Sequence, residues 1–441
     1  MGAYWILTVA GATAGQSSVR LAWDASASAG VAGYQLYYGT VSHNYNNVLS
    51  AGNTTGATLG GLKTGTTYYI AVRAYDSSGV ESDFSNEIAY QVPGSPGSRP
   101  SGGGAAYPSV AGSYSGLFYE TNQDQVQVWS AGFFQVLLTS RGAYSGHLQI
   151  GPTHYSFSGS MDAQGQARNT ISRPAAPALQ LTFSAGNQPN QMVGTLSDGI
   201  WSANLSSSRA VFDARSNPAP FAGRYTLIFP GQMGTPSLPA GDGFGVVRLT
   251  SGGQAIFAGK LADGTAVSQS ASISEAGAWP LYLLPYSGRG LLLGWLDFAA
   301  QPGYDLSGVT TWIKPAVASS RYYPGGFTNQ LQVLGSAYVP SASSANAILS
   351  LTNGTVAFSG GDLAAPFANP IKMGLSSRVT NLGSNQLNMS FSLSTGTFSG
   401  SVSTEATGKP MPFCGVVFQK IEAGYGFVVG ADQTGEVLIG Q

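Results

Sequence analysis

The sequence predicts an all-β protein, and three observations carry that expectation. Apolar residues recur in short runs with a period of two, broken every few positions by Gly, Ser and Asn, the pattern of strands joined by tight turns. Long Leu/Ala/Glu/Lys stretches with helical periodicity are missing. Aromatic residues reach 11% and hydrophobic residues 43%, so this Gly- and Ser-rich chain has the side chains to fill packed cores, unlike a low-complexity polymer. At 441 residues there is room for two to four such cores.

Residues 17–92 supply the first. Val19, Leu21 and Trp23 alternate, then Tyr34, Leu36 and Tyr38, then Tyr68, Ile70, Val72 and Ala74, with turns at 52–56 and 76–79 between and after them. Each set places its side chains on one face of a strand, and the spacing predicts a sandwich of about seven short strands. The segments VRLAWD (19–24), VAGYQLYYG (31–39), LKTGTTYYIAVRAYD (62–76) and ESDFSNE (81–87) resemble a bacterial fibronectin type III domain. The resemblance implies that Trp23 is the core tryptophan and that Tyr68 is the corner tyrosine whose hydroxyl bonds back to the backbone. It implies a spacer or adhesive module, and no Arg-Gly-Asp tripeptide adds an integrin-type motif. Residues 5–9 read as a first edge strand. Residues 93–110, rich in Pro, Gly and Ser, read as a linker.

Self-comparison organises the remainder. Four segments share a strand, a Thr/Ser-x-Gly turn, then an aromatic and a Gly: FQVLLTSRGAYSGHL (134–148), VVRLTSGGQAIFAGKL (246–261), ILSLTNGTVAFSGGDL (348–363) and FSLSTGTFSGSV (391–402). Each reads as a hairpin. Gly142, Gly253, Gly354 and Gly396 take the positive-φ turn position. Tyr144, Phe257, Phe358 and Phe398 return to the core, and Gly146, Gly259, Gly360 and Gly400 leave bare backbone beside the rings. GSYSGL (112–117) parallels GRYTL (223–227). The reading is therefore a module over 1–92, a linker over 93–110 and three β-repeat units over 111–217, 218–320 and 321–441, built as antiparallel barrels or sandwiches from repeated hairpins. With KLADGT (260–265), WPLY (279–282), GWL (294–296) and PFCGVVFQK (412–420), this half resembles the glycine-rich repeat region of large exported bacterial surface proteins. That resemblance implies an extracellular or cell-surface location and brings no catalytic motif.

Charge and composition exclude several partners. A net charge of −1, with no Lys/Arg run, gives no phosphate-neutralising surface for nucleic acid. No stretch of about 18 apolar residues predicts a transmembrane helix. The single Cys414 cannot form an intramolecular disulfide and reads as a buried, inert thiol in a strand.

Residues for catalysis are scarce. Of the three histidines, His147 and His154 can meet across a hairpin, but no acidic or thiol ligand stands near them to complete a metal site. Many carboxylates, Asp198, Asp242 and Asp263 among them, sit in Asp-Gly turns that explain them without chemistry. No nucleophile elbow, phosphate loop or calcium loop is present, so neither an enzyme nor a cofactor is expected. Two functions fit. One is a non-catalytic structural or adhesive subunit, polymerising through strand edges that 9% charge barely guards, with residues 4–9 as an inter-subunit strand. The other is carbohydrate binding, with Trp279, Tyr286 and Tyr323 as candidate sugar-stacking rings. The expected partners are copies of the chain, glycans or cell-surface proteins.

Overall fold

The computed structural model describes residues 7–12, 19–23, 25–26, 30–63, 66–92, 107, 109–120, 126–174, 176–186, 188–340, 347–404 and 408–441. The chain divides into two compact units, 1–103 and 104–441. Nearly everything described is strand and turn; among the described residues no helix is long and apolar enough to cross a membrane.

The first unit is a seven-stranded sandwich. Strands β1 (Leu7–Ala12), β2 (Val19–Trp23) and β5 (Gly56–Leu59) form one sheet in the order β1-β2-β5. The other sheet holds β3 (Val31–Gly39), β4 (Asn47–Gly52), β6 (Thr67–Asp76) and β7 (Ile88–Gln91) in the order β4-β3-β6-β7. Trp23, Tyr34, Leu36, Ile70 and Val72 are buried between them, and Trp23 meets Tyr34 edge to face at 5.8 Å. The Tyr68 hydroxyl accepts the Lys63 N–H at 3.2 Å, the corner expected of it. The expected edge strand over residues 5–9 falls partly outside the described residues; its described part lies within β1, which pairs with β2.

The second unit contains three nearly closed eight-stranded antiparallel barrels. The first runs through β8 (Gly112–Tyr119), β9 (Gly132–Leu138), β10 (Ala143–Ile150), β11 (Thr153–Ser160), β12 (Gln166–Arg173), β13 (Ala176–Ala185), β14 (Gln191–Ser197) and β15 (Ser202–Arg209). The second is β16 (Gly223–Phe229), β17 (Gly243–Leu249), β18 (Gln254–Lys260), β19 (Ala266–Ser272), β20 (Ala278–Leu283), β21 (Leu291–Phe298), β22 (Leu306–Lys314) and β23 (Phe327–Ala337). The third is β24 (Asn353–Ser359), β25 (Phe367–Met373), β26 (Val379–Asn381), β27 (Gln386–Ser392), β28 (Thr397–Ser403), β29 (Met411–Phe418), β30 (Ala423–Val429) and β31 (Thr434–Gly440). In each, the last strand pairs with the first, and the ladder is interrupted once: between β11 and β12, between β19 and β20, and between β26 and β27.

Most of the 93–110 linker lies outside the described residues. Its end is anchored on the first barrel, where Tyr107 donates its hydroxyl to Asp162 O at 2.7 Å and its N–H to Ser140 O at 2.7 Å. The expected boundary between 320 and 321 is corrected. β23, which begins at Phe327 just past it, pairs with both β16 and β22 and completes the second barrel. What looked like a new unit at Arg321 is the turn before β23, with Tyr323 at φ 50°.

The repeated hairpins hold in two copies turn for turn. Gly142 and Gly253, at φ 82° and 75°, each donate N–H to the preceding threonine carbonyl, at 3.0 and 2.9 Å. Their own carbonyls accept from Met161 and Ile273, both at 2.9 Å. Gly396 takes the same left-handed conformation in the third barrel. The 348–363 copy differs. Gly354 lies inside β24 without a positive φ, and Gly360 is a turn residue at φ 69°. Ile348, Leu349 and Leu351 are buried from a coil and form no strand. Tyr144, Phe257, Phe358 and Phe398 all reach the core as expected.

Each barrel has its own apolar core, and the junctions between them are packed as well. The core of the second continues through Leu117, Val126, Ala131 and Phe133 of the first and Phe427 of the third. Phe133 stacks on Tyr282 at 6.2 Å, and the Tyr282 hydroxyl accepts the Gly151 N–H at 3.0 Å. On the other side Thr226 donates its hydroxyl to Val417 O at 2.6 Å, where Ile228, Val416 and Phe418 form an apolar patch.

Candidate functional site

Strands that stop pairing leave backbone donors and acceptors unmet, so the three interruptions are where the barrels can do something besides stand. Each is bridged by a carboxamide. Asn169 of β12 donates Nδ2–H to Ser158 O of β11 at 3.0 Å, and its Oδ1 accepts the Tyr144 hydroxyl at 2.9 Å. Gln269 of β19 donates to Pro280 O at 3.0 Å and accepts from the Tyr282 N–H at 3.3 Å. Asn369 of β25, wholly buried, donates to Asn381 Oδ1 at 3.1 Å and Asn385 O at 3.0 Å. A primary amide offers both donor and acceptor, which suits a gap where either group can be left over. Replacing Asn169 with Ala removes the acceptor of the Tyr144 hydroxyl and the donor to Ser158 O, and is expected to cost about 1–3 kcal/mol. Denaturant unfolding checks it, and Asn169→Asp, which keeps the acceptor, should lose less.

The first barrel has an open trough over its seam. Its volume is about 790 Å³, with Phe157 and Ile171 at its floor and Ser156, Ser158, Thr170 and Ser172 on its rims. β11 and β12 are joined by a short turn closed by an Asp162 N–H to Gln166 O bond of 2.8 Å, yet form no ladder beyond it. His147 lines the trough and meets His154 across the β10–β11 pair, ring centroids 5.7 Å apart. Burial, and then the neighbouring His154, hold the His147 imidazole below its ordinary value. The cross-strand meeting is as expected. Among the described residues no three His, Cys, Asp or Glu side chains come together as metal ligands.

The candidate sugar-stacking rings lie in the second barrel, and none offers an open face. Trp279 is fully buried against Phe257 and Phe298, at 5.7 and 6.3 Å. Tyr323 is 5% exposed, edge to face with Phe327, its hydroxyl 3.1 Å from Thr434 Oγ1 of the third barrel. Tyr286 is half-buried, with its hydroxyl on Asp263 Oδ2 at 2.6 Å and the Lys314 ammonium 4.0 Å from its ring centroid. Burial, then the Asp263 charge, hold that hydroxyl protonated. Trp279 points inward by strand alternation and fills the barrel interior, while Tyr286 and Tyr323 fold inward from turns at one end of the barrel. The aromatic that the sequence reading missed is Trp129, 61% exposed ahead of β9. Its position in a polar stretch, QDQVQVW, was the available signal.

Cys414 is half-buried in β29, and burial pushes its thiol up, consistent with an unreactive group. His43 sits in an exposed turn at φ 58°, its N–H held by Glu87 Oε2 at 2.7 Å.

No curated protein matches the chain. Among solved structures, a tryptophan-to-alanine mutant of the vaccine antigen Transferrin Binding Protein B from Haemophilus parasuis Hp5 aligns over 93% of this chain and 95% of its own. The identity is 9% and the TM-score 0.21, a likeness too loose to define a shared fold or ligand. The family model of the fibronectin type III domain matches residues 7–91, so the seven-stranded sandwich at the amino terminus is a fibronectin type III domain.

Proposed function

We propose that this is a non-catalytic structural or adhesive protein of the extracellular space, a subunit that joins its neighbours by strand addition at the open seam of the first barrel. The observation that carries the reading is the unpaired β11–β12 seam with its trough. Two strand edges face each other there across Ser and Thr rims, with charge on β12 confined to Arg168 and Arg173. The apolar packing of the second barrel against the first and third supports it further, because a polymer subunit must carry load without its parts swinging. The fibronectin type III domain is in keeping with such a role.

The test uses the concentrated full chain in light scattering and negative-stain microscopy. Oligomers or filaments are expected, and Ser156→Pro should disperse them while leaving the melting temperature close to that of the parent. Ser156 has the strand parity of Ser158, whose carbonyl meets Asn169 across the seam, so its N–H faces the seam too. A monodisperse monomer at high concentration sinks the proposal. Carbohydrate binding stays as a second reading because Trp129 is an open ring. Signals on a glycan array that vanish in Trp129→Ala would favour it.

A further inference from the structure

The second barrel buries an ion pair at one end. Lys314, the last residue of β22, places Nζ 3.1 Å from Oδ2 of Asp263 in the β18–β19 turn, with side chains 5% and 1% exposed. Every other atom around the carboxylate is also arranged. Oδ1 accepts the Thr265 N–H at 3.1 Å, and Oδ2 accepts the Tyr286 hydroxyl at 2.6 Å. The Tyr286 oxygen is itself fixed by the Trp312 indole N–H at 3.2 Å. Tyr286 and Ser287 hold φ 59° and 57°, and Tyr323 holds φ 50°, conformations that cost non-glycine residues energy. A turn that only had to close between two strands has no need of that strain.

A buried ion pair is a poor source of stability, since desolvation offsets most of the attraction. Converting it to a neutral amide removes both charges. We propose that Lys314 and Asp263 form an intramolecular isopeptide bond, independently of any assembly at the first barrel. The ammonium passes one proton to Oδ2 along their hydrogen bond, giving a neutral amine and a carboxylic acid. The nitrogen lone pair attacks Cγ, and the oxyanion that develops on Oδ1 is met by the Thr265 N–H. A second nitrogen proton goes to Oδ2, which leaves as water while the Tyr286 hydroxyl holds it. One C–N bond forms, one C–O bond breaks, and the amide keeps one N–H and the Oδ1 carbonyl. No oxidant or cofactor enters. The packed rings of Tyr286 and Trp312 keep bulk water, the competing nucleophile, from the carboxyl carbon.

The full chain is measured by intact mass spectrometry in denaturant, then after trypsin. The expected mass is lighter than the sequence by one water. The digest should contain a branched peptide in which 261–289, carrying Asp263, and 290–321, carrying Lys314, are joined with the loss of one water. Lys314→Arg and Asp263→Ala chains should keep their full sequence masses whether or not they fold. A parent chain at its full sequence mass, giving 261–289 and 290–321 as separate unmodified peptides, overturns the proposal.

Discussion

Trp279→Ala is expected to lower the stability of the three-barrel unit by about 3–5 kcal/mol, the usual cost of emptying a large buried aromatic site. The ring lies between Phe257 and Phe298 in a core that also takes in side chains of the first and third barrels, so collapse around the void is resisted from several directions. The destabilisation should therefore appear in the main denaturant transition of the unit and not as early loss of one barrel. Among the described residues the indole Nε1 has no hydrogen-bond partner. Trp279→Phe removes that unmet donor as well as volume, and should cost much less than alanine. Chemical denaturation followed by near-ultraviolet circular dichroism measures both. An alanine variant with the parent's midpoint would mean that the ring is not in the core.

A second large effect is expected from pH. Asp242 is 6% exposed at the junction of the second and third barrels; its Oδ1 accepts the Gly231 N–H at 2.8 Å and its own N–H reaches Gly426 O at 3.1 Å. Burial, with a smaller push from Glu436, raises its carboxyl to about 7 from 3.8. The folded state thus binds a proton that the unfolded chain has released between those values. The contribution is full below pH 4 and is lost as pH rises through 7, a change of roughly 4 kcal/mol. Asp297, raised by burial, acts in the same direction. Asp198, lowered by backbone N–H bonds and Arg173, acts in the opposite one, its stabilisation vanishing as acid protonates it. Asp242→Asn keeps an acceptor for Gly231 and has nothing to titrate. Relative to the parent it should gain stability at pH 8 and little at pH 5, as thermal melts across that range would record. Parallel pH profiles for the two chains would refute the assignment.

How far the fold was legible depends on what local sequence can encode. Alternation and turn chemistry are local, so the all-β class, the fibronectin type III sandwich and the Gly142 and Gly253 hairpins are readable directly. The 348–363 copy shows the limit. Ile348, Leu349 and Leu351 have a strand's apolar pattern but are buried from a coil, with N–H groups taken by side chains: Ile348 by Ser377 Oγ at 2.7 Å and Ser350 by Glu422 Oε2 at 2.6 Å. Those partners are distant in sequence, and nothing local announces them. The Arg321 boundary misleads similarly, because its guanidinium serves Gly430 O and Ala431 O of the next barrel at 3.0 and 2.9 Å. For the site the difficulty is sharper. Trp279, in the apolar run WPLYLL, is wholly buried, and Trp129, at the end of the polar QDQVQVW, is exposed, so the neighbours of each ring carried a weak signal that ring identity alone did not. The carboxamides at the seams are silent, since Asn169, Gln269 and Asn369 acquire meaning only once a ladder is seen to stop beside them.

The pairing of last strand with first in every barrel sets an order of events as the chain is made. β8, β16 and β24 each present one bare edge until β15, β23 and β31 arrive, so no barrel can close before nearly all of it exists. Long-range closure is slow, and an unfinished barrel is a sheet with two sticky edges. The chain therefore passes through three vulnerable intervals in succession. The end of each coincides with the appearance of a single strand, and for the third barrel that strand is β31, Thr434–Gly440.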